Sequence, residues 1–544
     1  MRSSSNFTYK ASFLTPLVVT LFVTPLTSYD PINIPRLIPL TLISSIFVFA
    51  LVKTNIFKIE RKYRVIFLIS GAFLSWILIN SLLNNSNLEE AIYGVTGRQT
   101  GTLAYFSFVI FMLVNVISSG GKLNSSLLVT LIVTGYINGI YGVLQSLDVD
   151  PFDWINPYSP VFGLFGNPNF HSSFMGITAT AAFALLLKQH DQSKFRLIYG
   201  FFIPLALLNI YQSKSQQGFL VMLVGISIIL FLWLRSSNYK RITFIYIVIW
   251  LIGAIAVILD ILQKTPWKSI LYKESVSYRG DFWRSGWQMT LDNPIFGVGL
   301  DGYRDNFRLY RDQAATDRNP NAMVDSAHNV FIDISSGGGF PLLIIYITIL
   351  LLALISAAKV IKRSNAFDPI FTGIFGSWIA YLAQSLISIN QIALAVWGWA
   401  FTGAIIGYEI ITRDDKQESA LKDKTIGWLR VLSGVVIGAA LALPLFVSDS
   451  QFRSTVNSGD VTQIQQSVEK WPQSVIRMTL AAKILREGGF ADQALEISTK
   501  ATNLFPNNFE AWQELYANPK ASEKLKLEAL QTMKKLDPLN PNLG

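Results

Sequence analysis

Thirteen apolar runs, each near the roughly 20 residues an α-helix needs to cross a bilayer, constrain what this chain can become. They fall at roughly 11–28, 35–52, 65–83, 101–118, 124–146, 170–187, 197–212, 217–234, 242–262, 339–358, 370–388, 394–411 and 426–447. Inside hydrocarbon, each backbone N–H and C=O must be satisfied within its own segment, which helices achieve and open sheets do not. The expected fold class is therefore all-α, a polytopic transmembrane helical bundle of about 13 spans. Composition agrees, with charged residues at 15% against about 25% in soluble domains. The first run lacks a small-x-small cleavage pattern and further spans follow it, so a retained helix is expected rather than a leader.

Lysine and arginine placement sets the expected orientation. Lys53, Lys58, Arg61, Lys62 and Arg64 lie in one loop, and Lys188, Lys194 and Arg196 in another. Arg235, Lys240 and Arg241 form a third basic turn, and Lys359, Lys362 and Arg363 a fourth. With thirteen spans, all four fall on one side, which the positive-inside rule makes cytoplasmic. The opposite loops are 29–34, 84–100, 147–169, 263–338 and 389–393. The expectation is a multi-pass cytoplasmic (inner) membrane protein with a cytoplasmic N-terminus. Residues 1–447 form its membrane domain and 263–338 its large extracytoplasmic loop. The net charge of +10 sits in short loops between spans, so no nucleic-acid partner is expected. The chain has no cysteine, which excludes disulfides, thiolate catalysis and cysteine-ligated zinc. No metal and no cofactor are expected.

Residues 448–544 have a soluble composition and form an expected extracytoplasmic helical tail. Pro472, Pro506 and Pro538 recur at spacings of 34 and 32, with small and apolar residues at helical spacing between them. This resembles tetratricopeptide repeats, whose period is about 34 residues, and suggests a module that docks a protein partner. An ordinary pair of helical hairpins is the alternative.

The loop 263–338 holds one of three histidines, His328, and six arginines. A neutral imidazole can accept a proton, so His328 is a candidate base; hydrogen bonding at the membrane interface is the plainer reading. Arg279 and Arg98 lie on different outer loops and could clamp a diphosphate, since guanidinium binds phosphate bidentately. Alternatively, Arg279 and Arg284 pair with Asp281 or Glu274. Lys214, between two apolar runs, is a functional cation or a snorkelling lysine. Asn167, Asn169 and His171 could bind sugar hydroxyls, or the asparagines could simply cap a helix beside Pro168. The run Gly297-Val298-Gly299-Leu300-Asp301-Gly302 follows no parallel strand and is not read as a nucleotide loop.

Four stretches in order, YGVTGRQTG, GLFGNPNF, SKSQQG and YRGDFWRSGWQMTLDNPIFGVG followed by DSAHNVFID, resemble the O-antigen ligase and polymerase family. The last carries most of the likeness, through Arg279, Trp283, Pro294, Gly297, Gly299, His328 and Asn329. The resemblance covers roughly residues 60–410. Where the family often has Ser-Arg-Gly, this chain has Ser213-Lys214-Ser215, which keeps the charge but loses the bidentate fork.

The resemblance implies a membrane glycosyltransferase with no cofactor and no metal. Such an enzyme moves a polyprenyl-diphosphate-linked glycan en bloc to an acceptor hydroxyl, on a lipid or glycan, at the outer membrane face. His328 would be the base or would orient the acceptor, and Arg279 and Arg98, with or without Lys214, would stabilise the leaving diphosphate. Asn167, Asn169 and Asn329 would complete the substrate site. The alternative from another class is a transporter or flippase of an anionic or lipid-linked substrate, which would place ionisable groups at midplane on broken helices.

Overall fold

A computed structural model of the chain describes residues 5–53, 63–84, 87–154, 161–188, 193–237, 239–261, 264, 274–364, 366–413 and 427–544. The described residues form helices and no strand. In chain order they are α1 (Ser5–Leu21), α2 (Asn33–Lys53), α3 (Arg64–Asn84), α4 (Leu88–Tyr93), α5 (Thr102–Ser118), α6 (Gly121–Ser146), α7 (Pro168–Leu186) and α8 (Ser193–Gln212). Then come α9 (Gln217–Ser236), α10 (Lys240–Ile261), α11 (Glu274–Asp292), α12 (Tyr303–Tyr310), α13 (Gln313–Arg318), α14 (Val330–Arg363), α15 (Pro369–Ser385), α16 (Ile392–Thr412) and α17 (Trp428–Ser458). The tail adds α18 (Val461–Glu469), α19 (Val475–Glu487), α20 (Ala491–Leu504), α21 (Phe509–Tyr516) and α22 (Glu523–Leu536).

Each of the thirteen apolar runs overlaps a helix, namely α1 to α3, α5 to α10 and α14 to α17. Among the described residues, seven of these are long and apolar enough to cross a membrane: α3, α6, α8, α9, α14, α16 and α17. Shorter apolar stretches lie in α2 and α5. The chain is thus a polytopic helical membrane protein. The cations Lys58, Arg61 and Lys62, used to orient it, lie outside the described residues.

The bundle is built around α16, which is apolar on all sides and almost wholly buried, as a helix surrounded by other helices must be. Without a hydrophobic drive between helices in lipid, close backbone approach does the packing, and small residues four apart allow it. Gly403 and Gly407 of α16 lie against the Met112 and Val116 carbonyls of α5. Gly434 and Gly438 of α17 lie against Ile46 and Leu42 of α2 in the same way. A Cβ at any of these four positions would collide with backbone.

The outer segments expected on one side of the membrane meet at one end of the bundle. The Asn33 amide donates to Gly97 O at 2.8 Å, and Arg36 of α2 donates to Leu164 O at 2.6 Å. Gln391 reaches Phe165 O at 3.0 Å, Asn329 reaches Leu386 O at 3.0 Å, and Thr96 meets Ser474 of the tail at 2.7 Å. The backbone N–H of Tyr29 donates to Asp449 at 2.7 Å. α17 crosses position 447 without a break and carries the chain into the tail, whose own core begins at Phe452. Pro472, Pro506 and Pro538 each follow the end of a tail helix, α18, α20 and α22, where a residue without an N–H cannot extend it.

Candidate functional site

Helix α14 breaks at Gly339, whose φ of 72° is left-handed, just before Pro341. The Pro294–Gly302 turn fills the break. Phe340 N donates to Pro294 O at 2.8 Å, and Val298 N donates to Ser336 O at 2.7 Å. Asn84 of α3 holds the Phe296 and Gly297 carbonyls at 3.1 and 2.6 Å, and Trp76 stacks on Phe296 with ring centroids 5.4 Å apart. The freed backbone groups are therefore satisfied inside the protein, as membrane-depth backbone requires.

That turn ends on Asp301, which organises the loop between α4 and α5. Its carboxylate accepts from Val95 N and Thr100 N, both at 3.2 Å, and from the Thr100 hydroxyl at 2.7 Å. Gly94 (φ 82°) passes so close to this carboxylate that a Cβ would collide with it. Burial raises the Asp301 pKa, while Thr100 and the Arg98 charge pull it down. The two glycine-bearing motifs, far apart in sequence, are thus one structure, and its product is a fixed Arg98. The Arg98 guanidinium, nearly buried, pairs with the half-exposed Asp325. Burial raises the Asp325 pKa, but Arg98 outweighs it and holds the carboxyl below its usual value. Beneath this pair is a polar pocket whose walls include Tyr105, Asp301, Tyr303, Ser326, Asp333 and Asn390.

His328 sits three residues after Asp325 with left-handed backbone (φ 54°). Asn329 caps α14, accepting from Phe331 N at 3.0 Å and Ile332 N at 3.3 Å, while its amide N–H donates to Leu386 O. Both ends of the Asn329 side chain are thereby used, and the turn that presents His328 is fixed. Asp333 completes it by accepting from Ser326 Oγ at 2.8 Å and Ala327 N at 2.7 Å. The His328 Nδ1 lies 3.2 Å from Ser326 O. A carbonyl only accepts, so Nδ1 carries the proton in neutral imidazole and Nε2 keeps the lone pair. Burial and the Arg98 and Arg279 charges push the His328 pKa down to about 4, against the opposing pull of Asp325. The imidazole is neutral at pH 7.

Helix α11 delivers the second arginine. Arg279 and Phe282 are three residues apart and so share a face, and Phe282 packs on His328 with centroids 5.4 Å apart. Arg279 is half-buried, and burial lowers its pKa. The pairing considered between Arg279 and Asp281 does not form. Asp281 is taken by Arg284 at 2.6 Å and by Arg318. The side chain of Glu274, the other partner considered, lies outside the described residues. The Arg98 and Arg279 charges thus both reach His328; Arg98 lines the pocket, while His328 and Arg279 are not among its walls.

Asn167, Asn169 and Lys214 gather at a different turn of the same end. Asn167 caps α7, accepting from Asn169 N at 2.8 Å, with Pro168 in the first turn. The Ser215 hydroxyl donates to Asn169 Oδ1 at 2.7 Å, which joins this turn to the one between α8 and α9. Lys214 is exposed, with φ 56°, beside a groove that includes Tyr211 and Phe219. None of the three lines the pocket under Arg98. His171 is fully buried and bonded to Asn209 at 3.0 Å, so it is a core histidine and offers nothing to a sugar.

Sequence reasoning missed Asp301, Asp325 and Asp333. The signal available was a carboxylate at fixed offset from each motif: Leu-Asp after the double-glycine turn, and Asp three before and five after His328. Asp148 and Asp150 stand at a DxD spacing, but Asp150 is engaged by Tyr141 at 2.6 Å and Gln145 at 2.9 Å. Among the described residues no group of three His, Asp or Glu side chains is arranged to hold a metal ion.

The O-antigen ligase family model matches residues 200–347. The match takes in Lys214, Arg279, the Gly297–Gly299 turn, His328 and Asn329, and leaves Arg98, Asn167 and Asn169 outside. No curated protein matches the chain.

Proposed function

From the premise that residues 200–347 form an O-antigen ligase domain, which puts this membrane enzyme of cell-surface glycan assembly in the O-antigen ligase/polymerase family, we propose that it transfers a polyprenyl-diphosphate-linked glycan en bloc to an acceptor hydroxyl. The acceptor oxygen attacks the anomeric carbon, the bond from that carbon to the diphosphate oxygen breaks, and His328 Nε2 takes the hydroxyl proton or orients it. Arg98 and Arg279 stabilise the charge developing on the leaving diphosphate, which fixed cations in a partly dry site do better than water. One arrangement supports this reading most: Ser326 O holds Nδ1 of His328 and leaves Nε2 its lone pair, under the charges of two arginines from separate elements. A bound diphosphate would offset that field and raise the basicity of His328 when the proton must move.

The broken helix α14 is the feature a transporter would share. Its break, however, is filled by the Pro294–Gly302 turn rather than open to a substrate, which favours the enzyme. Lys214, Asn167 and Asn169 would contact the glycan or lipid at the edge of the site, and Asn329 would act by holding His328. We read the site end as extracytoplasmic, the N-terminus as cytoplasmic, and residues 448–544 as a tetratricopeptide-like tail with an outer surface open to a protein partner.

The test is transfer from lipid-linked glycan in membranes bearing Arg279→Ala or His328→Ala. Loss of product with normal insertion supports the reading; product at the level of the parent overturns it. The orientation is tested with one introduced cysteine, since the chain has none. Met323 is 53% exposed, whereas Ser326 is buried, so Met323→Cys is the informative probe. It should react with an impermeant thiol reagent on intact cells, and protection would reverse the topology.

A further inference from the structure

Helix α12 has two working faces. Tyr303 and Phe307 point into a small core with Met289, Val324 and Ala327, directly behind His328. Arg304, Arg308 and Arg311, at i, i+4 and i+7, form the other face, and the tail covers it. Arg308 stacks over Phe509 at 4.1 Å and meets Asp537 at 3.0 Å. Arg311, fully buried, holds both oxygens of Asp537 at 2.7 Å. Asn508 of the tail donates to Asp305 at 2.8 Å.

The same two guanidiniums hold the backbone of the loop that leads to His328. Arg311 donates to Asn319 O at 3.2 Å and to Pro320 O at 2.9 Å, and Arg308 donates to Pro320 O at 3.3 Å. Asp537 has no exposed side-chain surface. Its carboxylate is the only anion hydrogen-bonded to either guanidinium among the described residues, and Asn540 orients it at 2.8 Å; Glu510 stands farther off, 4.0 Å from Arg308 and from Arg304. Without that carboxylate, Arg311 would be a buried cation with no ion pair and Arg308 would keep only the more distant Glu510, which would loosen the 319–321 segment, four residues before Asp325.

We propose that Asp537, at the end of the tail, is a positioning residue for glycan transfer. It pairs with Arg308 and Arg311 so that they can clamp residues 319–321, which sets Asp325 against Arg98 and His328 against Arg279. The tail is then part of the active site's frame as well as a surface for partners. This rests on the transfer reading above.

The experiment uses full-length protein in membranes and compares the parent, His328→Ala and Asp537→Asn. Asp537→Asn keeps the shape and removes the charge. Its kcat is expected to fall about 10- to 100-fold with little change in KM for the donor, as misplacement of reacting groups does. In a Met323→Cys background it should also speed thiol labelling of the loop. Parent-like kcat and labelling in Asp537→Asn would overturn the proposal, as would a loss matched entirely by lower protein level. If Asp537→Asn does not accumulate, Asn540→Ala, which loosens the carboxylate and also removes the cap on Pro541–Leu543, should show the same pattern at smaller size; parent-like behaviour there is the refutation. If the parent makes no product, or His328→Ala makes as much as the parent, the transfer reading has failed instead. The labelling comparison then still decides whether Asp537 holds the loop.

Discussion

Two clusters of polar residues at the same end of the bundle look alike in sequence and differ in structure. In the first, Arg98, Arg279 and His328 come from three elements, and both arginine charges act on the imidazole. In the second, Asn167, Asn169 and Ser215 spend their hydrogen bonds on a helix cap and a turn-to-turn tie, with Lys214 exposed beside them. Placement alone does not separate the clusters, since both lie near glycine-rich turns. What separates them is residual electrostatic tension. In the first, two arginine charges act on the imidazole and disfavour its protonation, the kind of perturbed titration that gathers at functional sites, while the hydrogen bonds of the second serve local structure.

The largest effect should come from breaking the first cluster. Replacing His328 with Ala removes the proton acceptor and should lower transfer about 100-fold or more. Arg279→Ala should do as much, and Arg279→Lys should remain defective, because a point charge does not replace the fork that grips a diphosphate. Turnover assays on membranes with matched protein levels check both. Gly94→Ala comes next. It would push a methyl into the Asp301 carboxylate at a left-handed position, disturb the loop that fixes Arg98, and reduce transfer without touching a reacting group.

pH offers a sharper contrast. The folded His328 pKa is about 4, below its ordinary value of 6.5. The unfolded chain therefore binds more protons between these values, and stability contributed at this site falls as pH is lowered through that window. Below about pH 4 both states are protonated and the slope ends. The acid limb of kcat/KM for the free enzyme should accordingly fall near pH 4 rather than near 6.5. Melting of purified protein across that range should lose part of its pH dependence in His328→Gln. The smallest effect is expected in the second cluster. Asn167→Ala should cost about 1 kcal/mol through the lost cap and leave kcat nearly intact. A collapse of kcat there would place both clusters in the chemistry.

The membrane helices were legible because lipid leaves a chain few choices. Each apolar run of bilayer length became a helix, and Gly403, Gly407, Gly434 and Gly438 mark where pairs of helices touch. His328, Arg279 and Arg98 could be singled out because polar residues are conspicuous in such a chain. Their partners could not. Asp301 lies about 200 residues from the loop it organises, and Asp537 lies 226 from Arg311. Pairing across such separations is set by the packed bundle, and no local pattern encodes it. The Asn167 turn was open to two readings because a capping asparagine and a sugar-binding one are the same residue in the same place. Its oxygen caps α7, and the Asn167→Ala assay decides whether the same side chain also serves the glycan.

The central claim is that the arginine field and the neutral histidine beneath it carry glycan transfer. The most direct measurement is product formation from a polyprenyl-diphosphate-linked glycan in membranes containing equal amounts of parent, Arg279→Ala and His328→Ala protein. The account predicts elongated or ligated glycan from the parent alone, with donor left unconsumed by both variants. Near-parent product from both variants would contradict it.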